Sequence, residues 1–314
     1  MTVAVVVCTA TRERIDLLRA CVDSLLAGLR RPDEIFVVVD GNPPLQAELA
    51  ASLPAPVRVL GCQRGGLSQA RNAGVRAARC DVVAFVDDDA TVDRRWLVEL
   101  LRVIEADEHV VGAGGPVTPR WGADRRWLPE ELLWVVGCTY RGHPEEAGPI
   151  RNPIGCNMAF RRRELVALGG FACDFGKQGN ALETCDETEL SLRLERALGP
   201  GRIRYVPAAR VHHFVPPARV SWRLLLRRSL SEGLSKGRLH RAYSASALGP
   251  ERGYVRRLVL HSVPRLLGRG LAARDANSVL GAAAIAVSLS VTGGAFLVGA
   301  TTTRRSRARG SAGR

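Results

Sequence analysis

Three consecutive aspartates, Asp87, Asp88 and Asp89, follow the apolar run at residues 82–86. Clustered carboxylates at the end of a buried segment repel one another, and they destabilise the fold unless a cation or hydrogen-bond donors lie among them. Oxygen ligands at this spacing suit Mg²⁺ or Mn²⁺ bridging a diphosphate, where the metal neutralises a leaving nucleotide. The competing interpretation is a solvated acidic turn before a helix that begins near Asp93.

A second acidic group, Asp186, Glu187 and Glu189, lies at the start of a predicted helix over residues 187–198. The helix dipole stabilises negative charge at that position, so ordinary helix-start preference is one explanation. The functional explanation is a general base that takes the proton from an acceptor hydroxyl as it attacks an anomeric carbon.

Two further segments carry chemistry only in suitable surroundings. The glycine-rich stretch at residues 65–74 contains Arg71, which could meet phosphate oxygens, orient an aspartate, or simply be an exposed arginine at a helix start. The pair His212 and His213 could be metal ligands or histidines at the end of a strand, and taken alone it favours the second interpretation.

Strands and helices alternate through residues 1–100, and this alternation must position the aspartates. Apolar and β-branched runs predict strands over 3–8, 34–39, 57–60 and 82–86, and helical spacing predicts helices over 15–29 and 69–78. The alternation predicts an α/β fold with a parallel sheet and right-handed crossovers. Ligands bind such sheets at the carboxyl ends of the strands, where Asp40 and the triple aspartate lie.

The middle of the chain, residues 116–155, lacks a clear period and is enriched in tryptophan. Trp121, Trp127 and Trp134 suit either the wall of a shaped pocket or the anchoring of a long loop.

The C-terminal third predicts a cationic helical region. Residues 202–274 hold 16 basic and 2 acidic residues. Arginine-rich helices with apolar stripes are predicted over residues 221–243 and 255–271, the second kinked at Pro264, and both are typical of a membrane interface. Clustered arginine favours either an anionic membrane surface or nucleic acid as a partner.

Residues 276–303 carry no charge, and residues 279–300 would span about 33 Å as a helix. That length is enough for the hydrocarbon layer, so a transmembrane or re-entrant helix is predicted, with a buried or peripheral helix as the alternative. Arginines flank the segment on both sides, so the positive-inside rule leaves its orientation open.

The sequence lacks the motifs that are typical of several other classes of protein. The eight cysteines include no CxxC pair and the N-terminus has no basic leader, which predicts a reduced cytosolic chain without a signal peptide. No GxGxxG follows the first strand, which counts against a dinucleotide-dependent oxidoreductase. A nucleotidyltransferase would want a glycine-rich loop where residues 8–14 contain no glycine. A basic nucleic-acid-binding protein leaves the aspartates unexplained, and without a zinc-finger or RNA-recognition motif we expect no nucleic-acid partner.

Together these motifs resemble glycosyltransferase family 2, an inverting family with the GT-A fold, from residue 3 to about residue 240. The resemblance implies a Rossmann-like, mostly parallel sheet flanked by helices. The matching elements are the first strand with Thr9, Arg12 and Arg14, Asp40 after the second strand, GLSQARNAG at 66–74, FVDDDA at 85–90, GCNMAFRR at 155–162 with GGF at 169–171, and DETEL at 186–190 with Arg193. Segments 119–121, 128–142, 151–157 and 211–216 look like the archaeal glucosyl-dolichyl phosphate glucuronosyltransferases and their bacterial relatives.

The resemblance implies roles for the matching residues only. The nucleotide sugar would be bound by Thr9, Arg12, Asp40, Arg71, Asp87 and Asp88. A Mg²⁺ or Mn²⁺ ion would be held by Asp89 and His213. Glu187 would be the catalytic base, with Asp186 as the alternative because this chain has Asp-Glu where the common order is Glu-Asp. The acceptor side would be formed by Trp134, Asn157 and Glu189.

The implied activity is transfer of a sugar from a nucleoside diphosphate sugar to a hydroxyl of a polyprenyl-linked or cell-envelope glycan acceptor. We expect a catalytic domain over residues 1–218, on the cytoplasmic side of the cell membrane. Basic amphipathic helices at an anionic membrane surface would follow over 219–274, the possible transmembrane helix over 275–303, and a basic disordered tail over 304–314.

Overall fold

The structure, a computed structural model, describes residues 1–63, 65–125, 127–173, 175, 185–243 and 248–302. The strands are β1 (Val3–Thr9), β2 (Glu34–Asp40), β3 (Val57–Cys62), β4 (Val82–Asp87), β5 (Ala90–Val92), β6 (Gly112–Gly114), β7 (Val117–Trp121), β8 (Gly148–Pro149), β9 (Met158–Arg161), β10 (Ile203–Tyr205) and β11 (Val211–Val215). The α-helices are α1 (Ile15–Leu26), α2 (Pro43–Ser52), α3 (Leu67–Ala77), α4 (Trp96–Ala106), α5 (Arg162–Ala167), α6 (Asp186–Leu198), α7 (Trp222–Tyr243), α8 (Gly249–Arg257), α9 (Val263–Ala273) and α10 (Ala276–Thr301). The predicted tail, residues 304–314, lies outside the described residues.

The central sheet has the order β3-β2-β1-β4-β9-β6-β10-β8, and its first four strands are parallel. Alternate residues of β1 enter opposite cores: Val3, Val5 and Val7 pack with α1, α2 and α4, whereas Ala4 and Val6 pack with α3, α5 and α6. A strand covered on both faces needs apolar residues at every position. The continuous apolar runs in the sequence therefore predicted these strands correctly.

Strand β9 runs antiparallel between β4 and β6, which makes the sheet mixed rather than wholly parallel. Periodicity could not predict this insertion, because a short buried strand has the same pattern in either direction. The result is a mostly parallel sheet flanked by helices.

A second sheet, β5-β11-β7, lies beside the end of β4. Strand β11 pairs antiparallel with β5, and the register places His213 opposite Ala90. Because Ala90 follows the three aspartates directly, this pairing brings a histidine from far along the chain to Asp89.

The C-terminal helices pack through small residues. A Cβ atom on Gly237 of α7 would lie 2.3 Å from the carbonyl oxygen of Phe296 in α10, and one on Gly299 would lie 2.3 Å from that of Leu234. The glycines therefore permit backbone contact between the two helices, which run parallel. A buried hydrogen bond between the Ser229 and Ser288 hydroxyls, 2.9 Å long, adds specificity to the contact.

Within the described residues, α10 is the one helix long and apolar enough to cross a bilayer, with a mean hydropathy of 1.8 over its best window and one third of that window buried. Its outer face exposes Val279, Leu280, Leu297 and Val298. The helix predicted over 255–271 lies within one continuous helical stretch, in which α8 leads through a π-helical turn, Leu258–Ser262, into α9. Pro264, which has no N–H to donate, lies just after this turn.

Candidate active site

The aspartates at the end of β4 differ in exposure. The side chain of Asp87 is 35% exposed, whereas those of Asp88 and Asp89 are almost fully buried. Asp89 lies beside His213, with 2.9 Å between Oδ1 and Nε2. The aspartates are therefore not the solvated acidic turn that was the competing interpretation.

Two arginines compensate the buried aspartates. Arg14 Nη1 donates to Asp88 Oδ1 at 2.6 Å and lies 3.3 Å from Asp89 Oδ2, and Arg219 Nη2 lies 3.4 Å from the same Asp89 oxygen. Burial would raise the pKa of Asp89, but His213, Arg14 and Arg219 lower that pKa to about 2. Asp88 has less compensation, so burial raises its pKa.

The donor atoms at this position fit a divalent metal. One oxygen or nitrogen each from Asp87, Asp89 and His213 lie within 4.8 Å of one another. Asp89 Oδ1 is buried and has no hydrogen bond with acceptable geometry, although His213 Nε2 is 2.9 Å away. When the imidazole is neutral and Nε2 carries no proton, a cation shared by these two atoms would stabilise the pair. The other ring nitrogen of His213 lies 3.7 Å from Cys138 Sγ.

The second acidic group opens α6. Asp186 Oδ2 accepts hydrogen bonds from Arg71 Nη1 at 2.8 Å and from Ser68 Oγ at 3.2 Å. Cys185, which precedes it, has a left-handed backbone conformation with φ of 79°. The partly buried Glu187 has no such arginine, and both desolvation and the adjacent Asp186 carboxylate raise its pKa.

Arg71 joins the two acidic groups. Its guanidinium binds Asp186, lies 3.7 Å from Asp87 Oδ1 and donates to the carbonyl oxygen of Gly155 at 2.9 Å. A Cβ on Gly155 would lie 3.0 Å from Arg71 Nη2, so glycine allows this close approach. Of the three interpretations of Arg71, the structure supports the one in which it orients aspartates. Its side chain is 4% exposed, and the expected contact with the nucleotide sugar stays a prediction.

The aspartates at the end of β4, Arg71 and Gly155 lie on the part of the chain that matches a known family model, whereas Asp186, Glu187 and His213 lie beyond it. The family model described as "Glycosyl transferase family 2" matches residues 4–168. The chain belongs to glycosyltransferase family 2. It is therefore a glycosyltransferase, as the sequence motifs predicted.

Relatives match over most of the chain. It is 33% identical to the glucosyl-dolichyl phosphate glucuronosyltransferase of Haloferax volcanii over 264 residues, which cover 83% of this chain and 84% of that protein. It is 29% identical to the succinoglycan biosynthesis protein ExoM of Rhizobium meliloti, over 74% of this chain and 73% of the relative. Both matches extend beyond the residues of the family model.

Solved structures confirm the GT-A fold. The mannosyltransferase PcManGT from Pyrobaculum calidifontis, in complex with GDP-Man and Mn²⁺, superposes with a TM-score of 0.56 at 18% identity over 92% of this chain and 86% of that one. GalNAc-T7 with UDP, GalNAc and Mn²⁺ gives a TM-score of 0.55 at 18% identity, over 81% of this chain and about half, 53%, of that one. At this identity the likeness concerns the fold.

The residues predicted to bind the nucleotide sugar differ in burial and in hydrogen-bond partners. Thr9 is buried at the end of β1, directly after Cys8, which pairs with Asp87. Asp40 accepts hydrogen bonds from the backbone N–H groups of Gly65 and Gly66, at 3.0 and 3.1 Å, and so holds the loop before α3. Arg12 is 76% exposed and pairs with Glu48.

Two residues predicted for the acceptor side, Asn157 and Glu189, make hydrogen bonds to other elements of the fold. Asn157 is fully buried, and its amide group bonds to Trp96 Nε1 and to the carbonyl oxygens of Pro116 and Ala209. Its acceptor-side role stays a prediction. Glu189 is likewise engaged, by Arg193 at 2.7 Å and by the Tyr243 hydroxyl at 2.6 Å.

Tryptophans anchor the middle segment to the C-terminal helices. Trp134 Nε1 donates to the Tyr254 hydroxyl at 3.1 Å, and Trp127 stacks on Trp222 with ring centroids 4.7 Å apart. Loop anchoring, one of the two interpretations, is therefore observed. A pocket-wall role of Trp134 is compatible with its partial exposure.

Sequence reasoning missed Arg219 and Ser68 at the site. Arg219 lies in a 3₁₀ turn, Pro217–Arg219, just after the strand that carries His213. Its Nη1 is 3.3 Å from His213 Nε2. An arginine so close in sequence to a candidate metal ligand was the available signal.

Proposed function

We propose that this glycosyltransferase moves a sugar, with inversion, from a nucleoside diphosphate sugar to a hydroxyl of a lipid-linked or cell-envelope glycan acceptor. The observation that carries the proposal is the bridging of Asp87 and Asp186 by Arg71. One buried guanidinium joins the metal-binding group to the acidic group that contains the proposed base. A single in-line displacement needs this arrangement, because donor and acceptor must meet between the two groups.

The donor side is formed by Asp87, Asp89 and His213, which would hold Mg²⁺ or Mn²⁺. A metal bound there would neutralise the developing charge of the leaving nucleoside diphosphate. Arg14 and Arg219 add fixed positive charge beside Asp89. Support comes from the two solved structures, which contain Mn²⁺ together with a nucleotide or nucleotide sugar.

The acceptor is activated by Glu187. Its carboxylate takes the hydroxyl proton while the oxygen forms a bond to the anomeric carbon, and the bond from that carbon to the diphosphate oxygen breaks with the electron pair leaving on the phosphate. A base is most effective when its pKa is close to the working pH, and desolvation shifts the pKa of Glu187 in that direction. Asp186 is less suited, since Arg71 and Ser68 occupy its Oδ2.

The nucleotide would lie along the carboxyl ends of β1, β2 and β4, where Thr9, Asp40 and Asp88 are found. Asp40 would act partly through the loop at Gly65 and Gly66, whose N–H groups it binds. Arg12 would contribute N–H donors that its bond to Glu48 through Nη2 does not use.

A lipid-linked acceptor is supported by the relative that is named for a dolichyl phosphate substrate, and a glycan acceptor by the relative named for succinoglycan. The cationic helices suit an anionic membrane surface, and the catalytic domain would lie on its cytoplasmic side. We propose the division of the chain at residues 218, 274 and 303 that the sequence predicts. Because α10 runs beside α7, whose Arg223 and Arg227 are exposed, a position in the membrane interface is favoured over a span.

The test is to incubate the detergent-purified chain with Mn²⁺ and a panel of UDP, GDP and dTDP sugars, with and without polyprenyl phosphate-linked acceptors. Release of nucleoside diphosphate that requires both metal and acceptor, and an inverted anomeric product by NMR, is expected. Asp89→Ala should abolish release, whereas the control Asp93→Asn, which alters an acid paired with His212, should retain it. Release without metal or with retention of configuration would contradict the proposal.

A further inference from the structure

Helix α7 of the C-terminal region packs against α6, the helix that begins with the acidic group of the proposed base. Cys185 and Leu192 form one buried apolar cluster with Leu239 of α7. The hydroxyl of Tyr243, at the end of α7, donates to Glu189 Oε1 at 2.6 Å. The first turn of α6 is therefore in contact with a helix that lies beyond the residues of the family model.

Cys185 directly precedes the acidic residues of α6 and has a backbone conformation that most side chains disfavour. Its φ of 79° lies in the left-handed region, which a residue other than glycine keeps only where its surroundings hold it. Because this residue directs the chain into α6, it also sets where the carboxylates of Asp186 and Glu187 lie. The Cys185 thiol lies 3.6 Å from Oε2 of Glu232, so α7 contacts this turn directly.

A buried ionic network holds Glu232. Lys236, one turn further along α7, is 8% exposed, and its ammonium lies 3.6 Å from Glu232 Oε1 and 2.7 Å from Glu251 Oε1 of α8. Arg151, which follows β8, donates to the other oxygen of Glu251 at 2.6 Å. Burial would raise the pKa of Glu251, but Lys236 and Arg151 lower that pKa to about 2. Two cations and two carboxylates thus join α7 and α8 to the segment after β8.

The same segment leads back to the candidate active site. Four residues after Arg151, the carbonyl oxygen of Gly155 accepts a hydrogen bond from Arg71, and Arg71 also binds Asp186. The start of α6 is therefore held from two sides: Arg71 binds the side chain of Asp186, and α7 contacts Cys185.

We propose that helix α7 positions the catalytic base. Lys236 holds Glu232 against Cys185 at the start of the first turn of α6, and Tyr243 holds Glu189 at its end, so that the Glu187 carboxylate between them stays fixed. The inference rests on the proposed function, in which Glu187 is the base. It deepens that function, because it makes α7 part of the active site in addition to a helix at the membrane surface.

Hydrogen–deuterium exchange of the full chain tests the positioning without any substrate. Lys236→Met removes the ammonium and keeps a long side chain, and exchange at the start of α6, where the Glu189 N–H donates to the Cys185 carbonyl oxygen at 2.9 Å, should become about tenfold faster. The matched control is Arg265→Met, which removes an ion pair between α9 and the buried Glu131 that does not involve α6. Unchanged exchange in Lys236→Met, or an equal increase in both variants, would overturn the proposal.

Kinetics with the donor and the polyprenyl phosphate-linked acceptor found in the panel above test the consequence for transfer. Lys236→Met should lower kcat by about tenfold to 10²-fold, because a base displaced by about 1 Å is poorly aligned, whereas Mn²⁺ affinity should stay unchanged. In a Glu187→Gln chain, adding Lys236→Met should cause no further loss of the residual kcat, since the group that it positions no longer accepts a proton. The same loss in both backgrounds would show that Lys236 acts independently of Glu187 and would contradict the proposal.

Failure of the proposed function gives a different result. If Glu187→Gln keeps nearly full kcat, Glu187 is not the base, and both the proposed mechanism and this inference are wrong. If Glu187→Gln is impaired but Lys236→Met is not, only this inference is wrong. If Lys236→Met unfolds at a lower temperature than the wild type, Tyr243→Phe provides the same comparison, because it removes only the hydroxyl that binds Glu189.

Discussion

The acidic group at the end of β4 and the one at the start of α6 contain the same kind of side chain in different electrostatic surroundings. Asp89 lies between His213 and two arginines, which lower its pKa to about 2. Glu187 lies beside an already paired aspartate, and its pKa is raised. The first environment keeps a carboxylate charged for a cation, whereas the second prepares one to accept a proton.

The difference arises from the distribution of arginines, since arginine stays charged wherever it lies. Arg14 and Arg219 both approach Asp89, whereas Arg71 donates a hydrogen bond to Asp186 and acts on Glu187 only as a more distant positive charge. The pKa of each carboxylate therefore depends on whether an arginine side chain binds it directly. Variants that alter either group separately can test the comparison.

The largest effect is expected from Glu187→Gln. Because the amide cannot accept the hydroxyl proton, kcat should fall by about 10²-fold to 10⁴-fold. Mn²⁺ affinity, measured by electron paramagnetic resonance, should stay unchanged, since the metal-binding group is separate. A variant with nearly full kcat would transfer the role of base to Asp186.

His213→Ala should weaken Mn²⁺ binding by about tenfold or more, because it removes one of three ligand atoms. The matched control is His212→Ala, one residue away, whose imidazole pairs with Asp93 at 2.8 Å. Titration of free Mn²⁺ measures both. Equal Mn²⁺ affinities of the two variants would show that His213 is not a metal ligand.

Arg219→Gln should reduce the affinity for the nucleoside diphosphate product about tenfold in the presence of Mn²⁺, since a charge-assisted contact to phosphate is lost. The affinity for the nucleoside alone should not change. Isothermal titration calorimetry with both ligands separates the two cases. A loss that is equal for both would indicate a general disturbance of the site.

The smallest effect is a shift of the pH profile. Glu187 acts as a base only when deprotonated, so kcat/KM should fall as the pH decreases through its raised pKa. Asp186→Asn removes the neighbouring negative charge, which lowers that pKa, and the acid limb should move to lower pH by about one unit. An unmoved limb in the residual activity would mean that another group sets it.

Much of the fold could be predicted from the chain. The strands over β1, β2 and β4 were predicted within one residue, because buried parallel strands require apolar side chains throughout. The family and the GT-A fold are confirmed. The antiparallel insertion of β9 was not predicted, and the site residue roles stay predictions.

The sequence was least informative about candidate site residues whose polar atoms bond to other side chains of the protein. Asn157 and Glu189 lie within recognisable motifs, yet the structure uses their polar atoms for Trp96, Arg193 and Tyr243. A residue in a motif can have a structural role or contact a substrate, and the motif alone does not distinguish the two. The hydrogen bonds in the structure reveal the structural role.

By itself the sequence determined the kind of chemistry and its position along the sheet, because apolar runs end where the aspartates begin and this order is local. Only the tertiary structure decided which distant groups meet: His213 with Asp89 through the register of β11, and Arg71 with both Asp87 and Asp186. The physical reason is that the charge state of a buried carboxylate depends on neighbours within a few ångströms, and those neighbours come from parts of the chain that local pattern does not connect.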